Sequence, residues 1–282
     1  MTLTPQHAVV IPVYQTTLTD QELFSIKTAV SVLEKHAIYF VGPTHLTNFL
    51  QQLSLQFERP LSYKTYPDHY FASIDGYNRL MLSSDFYQAF KNYQYILIAQ
   101  TDSLVFSDEL NFWAAKGYSY IGAPWFDGYT QPTQPLRLTA VGNGGFSLRN
   151  VQDFLRVLKR PRIFKNTLMQ TWPGNWRSTI YRYLKDYRSF VYKNTQINLN
   201  VNEDLFWGLF VAPICPFFKV PAPLEAVSFA FEAYPQHSYA LNGQRLPFGC
   251  HAWARYDPEF WQSALAHHSP PFFHKKLFIS RV

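Results

Sequence analysis

The chain of 282 residues lacks several features that define other classes of protein. Its two cysteines, Cys215 and Cys250, are too few for a disulfide framework or a cysteine metal cluster, so we expect free and mostly buried thiols. No apolar stretch is long enough to cross a membrane as a helix. The N-terminus has no basic segment of the kind that opens a signal peptide, which predicts a cytoplasmic protein.

Charge is scarce and unbalanced. Charged residues make up 16% of the chain and hydrophobic residues 47%, which argues against disorder. The formal net charge of +6 favours anionic partners such as nucleotide phosphates or lipid headgroups. Lys and Arg are scattered rather than gathered into an arm, so nucleic acid is not an expected partner. The short basic and apolar tail, 266–282, predicts either peripheral contact at the inner face of the membrane or packing on the domain.

Alternating apolar runs and helical patterns predict an open α/β sheet. A strand over 9–14 is followed by a helix over 20–35 with Thr19 as its N-cap, a second strand over 37–41 and a second helix over 44–53. Aromatic residues, at 18% of the chain, fill the core and can line clefts that accept sugars and bases. Further expected elements are a short strand over 63–70, a helix over 74–93, strands over 95–99, 118–124 and 146–148, and a helix over 150–158.

Asp102 follows a continuous apolar run that reads as a buried central strand, Tyr95–Ala99. A carboxylate at the end of a buried strand is poorly solvated unless a cation meets it. The carboxyl ends of strands in an open α/β sheet are also where ligands bind. The residues predict either a metal or ligand site here, or an aspartate that caps the turn after the strand.

Three further motifs combine glycine, carboxylate and imidazole. The glycine-rich segment 142–145 permits close backbone approach to an anion or a sugar, but it also fits a tight hairpin or a bulge. Glu203 and Asp204 precede an apolar run, where they could cap a helix or face a ligand as a general base. His251 lies between a glycine turn and aromatic residues, and it is either a metal ligand or a hydrogen-bonded structural residue.

In this order, the motifs resemble a bacterial family of GT-A-like glycosyltransferase domains associated with surface polysaccharide and lipopolysaccharide synthesis. The motifs are Thr-Asp-Ser at 101–103, Gly-Asn-Gly-Gly-Phe-Ser-Leu-Arg at 142–149, Asn-Glu-Asp-Leu-Phe-Trp at 202–207 and Phe-Gly-Cys-His-Ala-Trp at 248–253. The resemblance implies one GT-A-like domain, a Rossmann-type open twisted sheet flanked by helices. Its nucleotide-binding half would span about 1–125 and its acceptor-side half about 126–265, with an aromatic and basic insertion around 160–200.

The resemblance also implies a role for each motif residue. Asp102 and His251 would bind Mn²⁺ or Mg²⁺, although Gln100 stands where the family's first aspartate is expected. Asp204 would be the catalytic base, and Glu203 would hold the acceptor or the loop. The donor-binding set implied by the resemblance is Pro12, Val13, Tyr14, Arg79, Gln100, Thr101, Asp102, Gly144 and Gly145.

The expected function is transfer of a hexose from a nucleotide-diphosphate sugar, with UDP as the nucleotide, onto a glycan or lipid-linked glycan with inversion at the anomeric carbon. The alternative is a catalytically degenerate GT-A-like protein that binds carbohydrate or acts as a scaffold. Gln100 favours this alternative, whereas the acidic pair and His251 favour the enzyme.

Overall fold

A six-stranded mixed sheet forms the centre of the fold in this computed structural model, which describes residues 6–129, 132–159, 202–213 and 215–268. Its strands, in spatial order, are β3 (Ser62–Tyr66), β2 (Ala37–Pro43), β1 (His7–Pro12), β4 (Tyr95–Ala99), β9 (Phe146–Asn150) and β6 (Tyr120–Ile121). The first four are parallel, while β9 runs antiparallel to both β4 and β6. The carboxyl ends of β1 and β4 therefore meet at one edge of the sheet.

Two small sheets flank this edge. One has the order β10 (Ala230–Phe231), β11 (Gly249–Cys250) and β5 (Leu104–Val105), and the other pairs β7 (Pro124–Phe126) with β8 (Leu138–Val141). Because β5 follows β4 after a short turn, pairing of β11 with β5 brings residue 251 back to the end of β4.

Helices surround the sheets. The described α-helices are α1 (Asp20–Val32), α2 (Thr47–Ser54), α3 (Ile74–Met81), α4 (Ser84–Gln88), α5 (Leu110–Ala115), α6 (Val151–Leu158), α7 (Glu203–Leu205), α8 (Pro223–Phe229), α9 (Pro235–Leu241) and α10 (Pro258–His268). α7 continues directly into a π-helical turn, Phe206–Val211, and 3₁₀ turns occupy Thr44–Leu46 and Asp68–Tyr70. The predicted N-cap of α1 is confirmed, since Thr19 and Glu22 form a capping box.

Both faces of the central sheet are buried, as the apolar runs predicted. Alternate residues of β1 enter different cores: Val9 and Ile11 pack in one, and Ala8 and Val10 pack in the other. This period of two is the geometry of a strand covered on both sides. Burial on both faces therefore holds β1 and β4 rigidly, and the ends of these strands fix the positions of the residues that follow them.

Several predicted elements differ in the structure. The strand expected over 63–70 ends at Tyr66 and is followed by the 3₁₀ turn Asp68–Tyr70. The helix expected over 74–93 is two helices, because the Ser83 hydroxyl accepts the Phe86 N–H and starts α4 anew. The strand expected over 118–124 is divided between β6 and β7, which lie in different sheets. β2 does not stop before Gly42; it runs on through Pro43, since β3 pairs beside it as far as Tyr66.

The remaining expectations from the sequence concern the cysteines, membrane-spanning helices and the division of the chain into parts. Cys215 and Cys250 are free and buried, as predicted. Within the described residues, no helix is both long and apolar enough to cross a membrane. The expected insertion around 160–200 and most of the tail 266–282 lie outside the described residues. The division into nucleotide-binding and acceptor-side halves stays a prediction.

Gly42 allows β1 and β2 to approach closely, and a methyl group there should destabilise the fold. A Cβ at Gly42 would lie 2.3 Å from the main-chain oxygen of Val13, which cannot move without disturbing the sheet. We expect Gly42→Ala to lower the free energy of unfolding by about 1–3 kcal/mol, the range for overpacked sites. Ser62→Ala, at an exposed position of β3, is the control and should change it little. Denaturant unfolding measures both; equal stabilities would contradict the tight packing at Gly42.

Candidate active site

A cavity of about 500 Å³ opens beyond the carboxyl ends of β1 and β4. This is the edge at which open α/β sheets bind ligands. The described residues that line it are Tyr14, Phe71, Ser73, Ile74, Tyr77, Asn78, Gln100, Asn143, Gly144, Gly145, Asn202, Glu203, Asp204, Glu232, His251 and Arg255. Residues from three of the sequence motifs line this space together with Gln100, which precedes the fourth, and Gln100 and His251 are 151 positions apart along the chain.

His251 is the centre of one wall. Its Nε2 lies 3.2 Å from Gln100 Oε1 and 3.3 Å from Asp102 Oδ1. Its Nδ1 lies 3.0 Å from Glu232 Oε1 and 3.2 Å from Asn143 Nδ2. Burial alone would lower the pKa of His251, but hydrogen bonds to Asp102 and Glu232 outweigh burial and raise the pKa to about 10. Without a metal, the imidazole is therefore a cation held between two carboxylates.

The donor atoms around His251 Nε2 suit a divalent cation. Nε2 of His251 lies 3.2 and 3.3 Å from the oxygens of Gln100 and Asp102, so all three atoms could contact a common ion. Two oxygens and an imidazole are ligands that Mn²⁺ accepts. The described residues contain no group of three or more His, Cys, Asp or Glu side chains that could hold a metal. Besides His251 and Asp102, the third possible metal ligand is the side-chain amide oxygen of Gln100, so metal binding at this site depends on Gln100.

The glycine-rich segment is a shaped turn between β8 and β9. Asn143 has a left-handed backbone (φ 69°), and its side-chain oxygen accepts the N–H groups of Gly145 and Phe146 at 2.9 and 3.2 Å. A Cβ at Gly144 would lie 2.2 Å from Glu203 Oε1, and a Cβ at Gly145 would lie 2.2 Å from the His251 ring. The two glycines are needed because both walls of the cavity pack directly on the bare backbone of this turn.

Glu203 is held inside the protein by Arg149. The guanidinium nitrogens of Arg149 lie 2.7 and 3.1 Å from the two carboxylate oxygens of Glu203, in a bidentate ion pair. Arg149 is 0% and Glu203 3% exposed. Burial raises the pKa of Glu203, and the charge of Arg149 opposes that rise. With both oxygens occupied by Arg149, Glu203 is bound to the protein rather than offered to a ligand.

Asp204 lines the cavity beside this pair, and main-chain N–H groups rather than an arginine hold its carboxylate. It accepts the N–H of Leu205 at 2.8 Å through Oδ1 and the N–H of Gly144 at 3.2 Å through Oδ2. Burial raises the pKa of Asp204, and these two hydrogen bonds partly offset that effect. An immobilised carboxylate of raised pKa is a suitable acceptor for a proton.

Four of the nine predicted donor-binding residues line the cavity and five do not. Tyr14, Gln100, Gly144 and Gly145 line the cavity. Val13 is buried in the core, Pro12 ends β1, and Thr101 donates to Glu22, so these three support the site from behind. Arg79 pairs with Asp75 one helical turn away and is not among the lining residues. Asp102 reaches the site through its contact with His251.

Sequence reasoning missed Arg149, Glu232 and Arg255. Arg149 had a detectable signal, because an arginine within an apolar strand has to meet a buried carboxylate. Arg255 lies four residues after His251 and supplies a cationic group to the cavity lining. Glu232 had no local signal: it follows the two-residue strand β10, and only the pairing of β10 with β11 brings it to His251.

The strands and helices are arranged in the GT-A fold, as they are in glycosyltransferases of known structure. An active-site mutant of LgtC is 11% identical, the match covering 96% of this chain and 100% of that chain, with a TM-score of 0.51. The galactosyltransferase LgtC in complex with donor and acceptor sugar analogs gives the same identity and coverage with a TM-score of 0.50. Apo mouse xyloside xylosyltransferase 1 is 11% identical over 87% of this chain and 96% of its own, with a TM-score of 0.48.

The family is shown by a sequence match. Residues 60–251 match the model of the family described as "Protein of unknown function (DUF5672)", and the chain belongs to that family. The match begins before β3 and ends at His251, so it includes the Gln100–Asp102 turn, the glycine turn and the Glu203–Asp204 pair. The search of curated proteins found no match.

A side chain added at Gly145 should displace His251. We expect Gly145→Ala to move the imidazole away from Asp102 and Glu232, because the new methyl group would occupy the space of the ring. The matched control is Gly117→Ala, which has left-handed backbone strain but no atom within 4 Å of the added methyl group. Imidazole ¹⁵N NMR should show an altered His251 signal in Gly145→Ala alone. An unchanged His251 signal would mean that the ring does not lie against Gly145.

Proposed function

We propose that this protein is a glycosyltransferase that moves a hexose from a UDP-sugar to a hydroxyl group of a glycan or lipid-linked glycan in bacterial surface-polysaccharide synthesis. The observation that carries the proposal is the convergence of two chemically distinct groups on one cavity of a GT-A fold. The Gln100–Asp102–His251 set supplies donors for a divalent cation, and Asp204 supplies a base. We further propose a cytoplasmic location, with peripheral contact at the inner face of the membrane.

The charge around the cavity supports a requirement for a cation. With His251 protonated, three carboxylates, Asp102, Asp204 and Glu232, outnumber the two cationic groups His251 and Arg255. That excess would repel a nucleotide diphosphate. Mn²⁺ or Mg²⁺ bound at Asp102, His251 and Gln100 would supply Lewis-acid neutralisation of the leaving diphosphate.

The aromatic side chains of the cavity suit the nucleoside part of the donor. Tyr14 follows β1 with 52% of its surface exposed, and Phe71 and Tyr77 line the same cavity. An exposed aromatic ring can stack on a base. Arg255, within electrostatic reach of Asp102, would pair with a diphosphate oxygen, whereas the sequence resemblance had put Arg79 in the donor-binding set.

Asp204 is proposed as the base that takes the proton of the acceptor hydroxyl. The Gly144 and Leu205 N–H groups hold its carboxylate in place, so it need not be ordered again in the transition state. The acceptor oxygen would attack the anomeric carbon as the bond to the diphosphate breaks, with inversion. The burial of Glu203 against Arg149 leaves Asp204 as the better candidate of the pair.

The competing proposal is a degenerate protein that binds carbohydrate or acts as a scaffold. Gln100 is its support, since the amide removes one negative charge from the metal-binding set. However, Gln100 still presents an oxygen to the His251 side of the cavity. Release of UDP from a UDP-hexose panel, with and without acceptor glycans, separates the proposals; binding without any release would favour the scaffold.

Binding of the donor should require both a nucleotide diphosphate and a cation. We expect UDP with Mn²⁺ to raise the melting temperature of the protein, as about 2.7 kcal/mol of stabilisation is gained at a ligand concentration of 100 Kd. UDP in a chelator should give a much smaller shift. Asp102→Asn keeps the shape of the side chain but removes its charge, and it should abolish the Mn²⁺-dependent part. A full shift in chelator would contradict the metal site.

Asp204→Asn should remove the base while leaving donor binding intact. General-base catalysis typically contributes about 10²–10⁴-fold, so we expect kcat to fall by that factor with the UDP-dependent melting shift near that of the wild type. In the wild type, the acid limb of the kcat profile should lie above the usual pKa of an aspartate, because burial raises the pKa of Asp204. A near-normal kcat in Asp204→Asn would favour a substrate-assisted front-face mechanism instead.

A further inference from the structure

We propose that Arg149 is a positioning residue that sets the orientation of Asp204 by joining the glycine turn to the start of α7. This inference rests on the proposed function of Asp204. The contact through which it acts can nevertheless be measured without turnover.

The guanidinium of Arg149 has a partner for every donor. Nε donates to Ser147 Oγ at 3.0 Å, and Nη1 donates to the Tyr87 hydroxyl at 3.0 Å and Glu203 Oε2 at 3.1 Å. Nη2 donates to Glu203 Oε1 at 2.7 Å and to the Gly144 carbonyl at 3.3 Å. The group is fully buried, so it has one geometry rather than a choice of several. A lysine could not reproduce this planar set.

Two of these contacts involve groups next to Asp204: the carbonyl of Gly144 and the side chain of Glu203. Arg149 holds the carbonyl of Gly144, and the N–H of the same Gly144 donates to Asp204 Oδ2. Arg149 also holds the side chain of Glu203, the residue before Asp204. The main-chain N–H of Glu203 donates to Asn78 Oδ1 at 3.2 Å, which fixes the same turn from the α3 side. Arg149 therefore fixes the separation between the carboxylate of Asp204 and its N–H donor.

Stability alone is a weak reason for such a pair. Desolvation of two charges costs much of what their attraction returns, and well-packed apolar side chains often serve as well. A hydrogen-bonded ion pair gives directional contacts that an apolar pair lacks. The contacts of Arg149 therefore serve to hold Gly144 and α7 in a fixed position relative to each other.

The first test compares Arg149→Lys with Tyr87→Phe. Tyr87→Phe removes one partner of the same guanidinium, together with its bond to the Met81 carbonyl, but leaves the Gly144 and Glu203 contacts in place. We expect kcat to fall about 100-fold in Arg149→Lys, with KM for the donor within about threefold, the cost of a displacement near 1 Å. Tyr87→Phe should lose thermal stability but keep its kcat. Equal losses of kcat in the two variants would overturn the proposal.

The second test is the double variant Arg149→Met with Glu203→Leu, which removes both charges and avoids an unpaired buried ion. We expect this variant to fold with a melting temperature closer to wild type than Arg149→Met alone, while kcat stays low. A double variant that recovers both stability and kcat would show that the pair is only structural, and would overturn the proposal.

Amide hydrogen exchange measures the contact between the Gly144 N–H and Asp204 directly. It therefore tests this proposal separately from the proposed function. In Arg149→Lys, the Gly144 amide should exchange at least about tenfold faster than in wild type, since its acceptor Asp204 is no longer held, whereas Tyr87→Phe should leave it protected. Unchanged protection of Gly144 in Arg149→Lys would overturn the proposal. Faster exchange in a protein that transfers no sugar would support the positioning contact and refute the glycosyltransferase assignment.

Discussion

The bidentate ion pair between Arg149 and Glu203 connects the central sheet to the wall of the cavity. Arg149 belongs to β9, whose register beside β4 is fixed by five residue pairs, and Glu203 starts α7. Because neither charge can remain buried without the other, loss of either side chain alone would destabilise the junction of the two elements. The glycine turn lies between them and takes its shape from both sides.

The second organising contact is the imidazole of His251. Its two nitrogens face residues from three separate regions: the end of β4, the glycine turn and the end of β10. Several non-glycine residues next to these contacts have left-handed backbones, namely Asn143, Tyr234 and Ala252. Such conformations cost of order 1–3 kcal/mol each and persist where the surrounding structure requires them. At Ala252, the requirement is that the chain turns sharply just after His251.

Two kinds of side chain, aromatic and polar, line the cavity, and they come from different elements. The aromatic side comes from Tyr14 after β1 and from the segment that leads into α3, and the polar side comes from the ends of β4 and β11 and from α7. Because β1 and β4 are adjacent and parallel, residues that follow both strands meet at the same edge of the sheet. The strand order therefore gathers distant parts of the chain around one cavity.

Local patterns in the sequence determined the sheet-forming runs β1, β2 and β4, the cap of α1, and the turn residues that carry the motifs. These features depend on periodicity, burial and the hydrogen bonds of near neighbours, all of which act over a few residues. Local patterns also placed Asp102, Asp204 and His251 among the candidates. They could not divide 118–124 between two sheets, because that depends on which strands pair.

The tertiary structure alone decided what each candidate contacts. Glu203 and Asp204 are adjacent and chemically alike, yet Glu203 pairs with the buried Arg149 and Asp204 accepts main-chain N–H groups. Glu232 became a partner of His251 through pairing of two-residue strands, and Arg255 rather than Arg79 came to line the cavity. The physical reason is that pKa, pairing and access depend on distances of a few ångströms between residues far apart in sequence, and only the packed chain sets those distances.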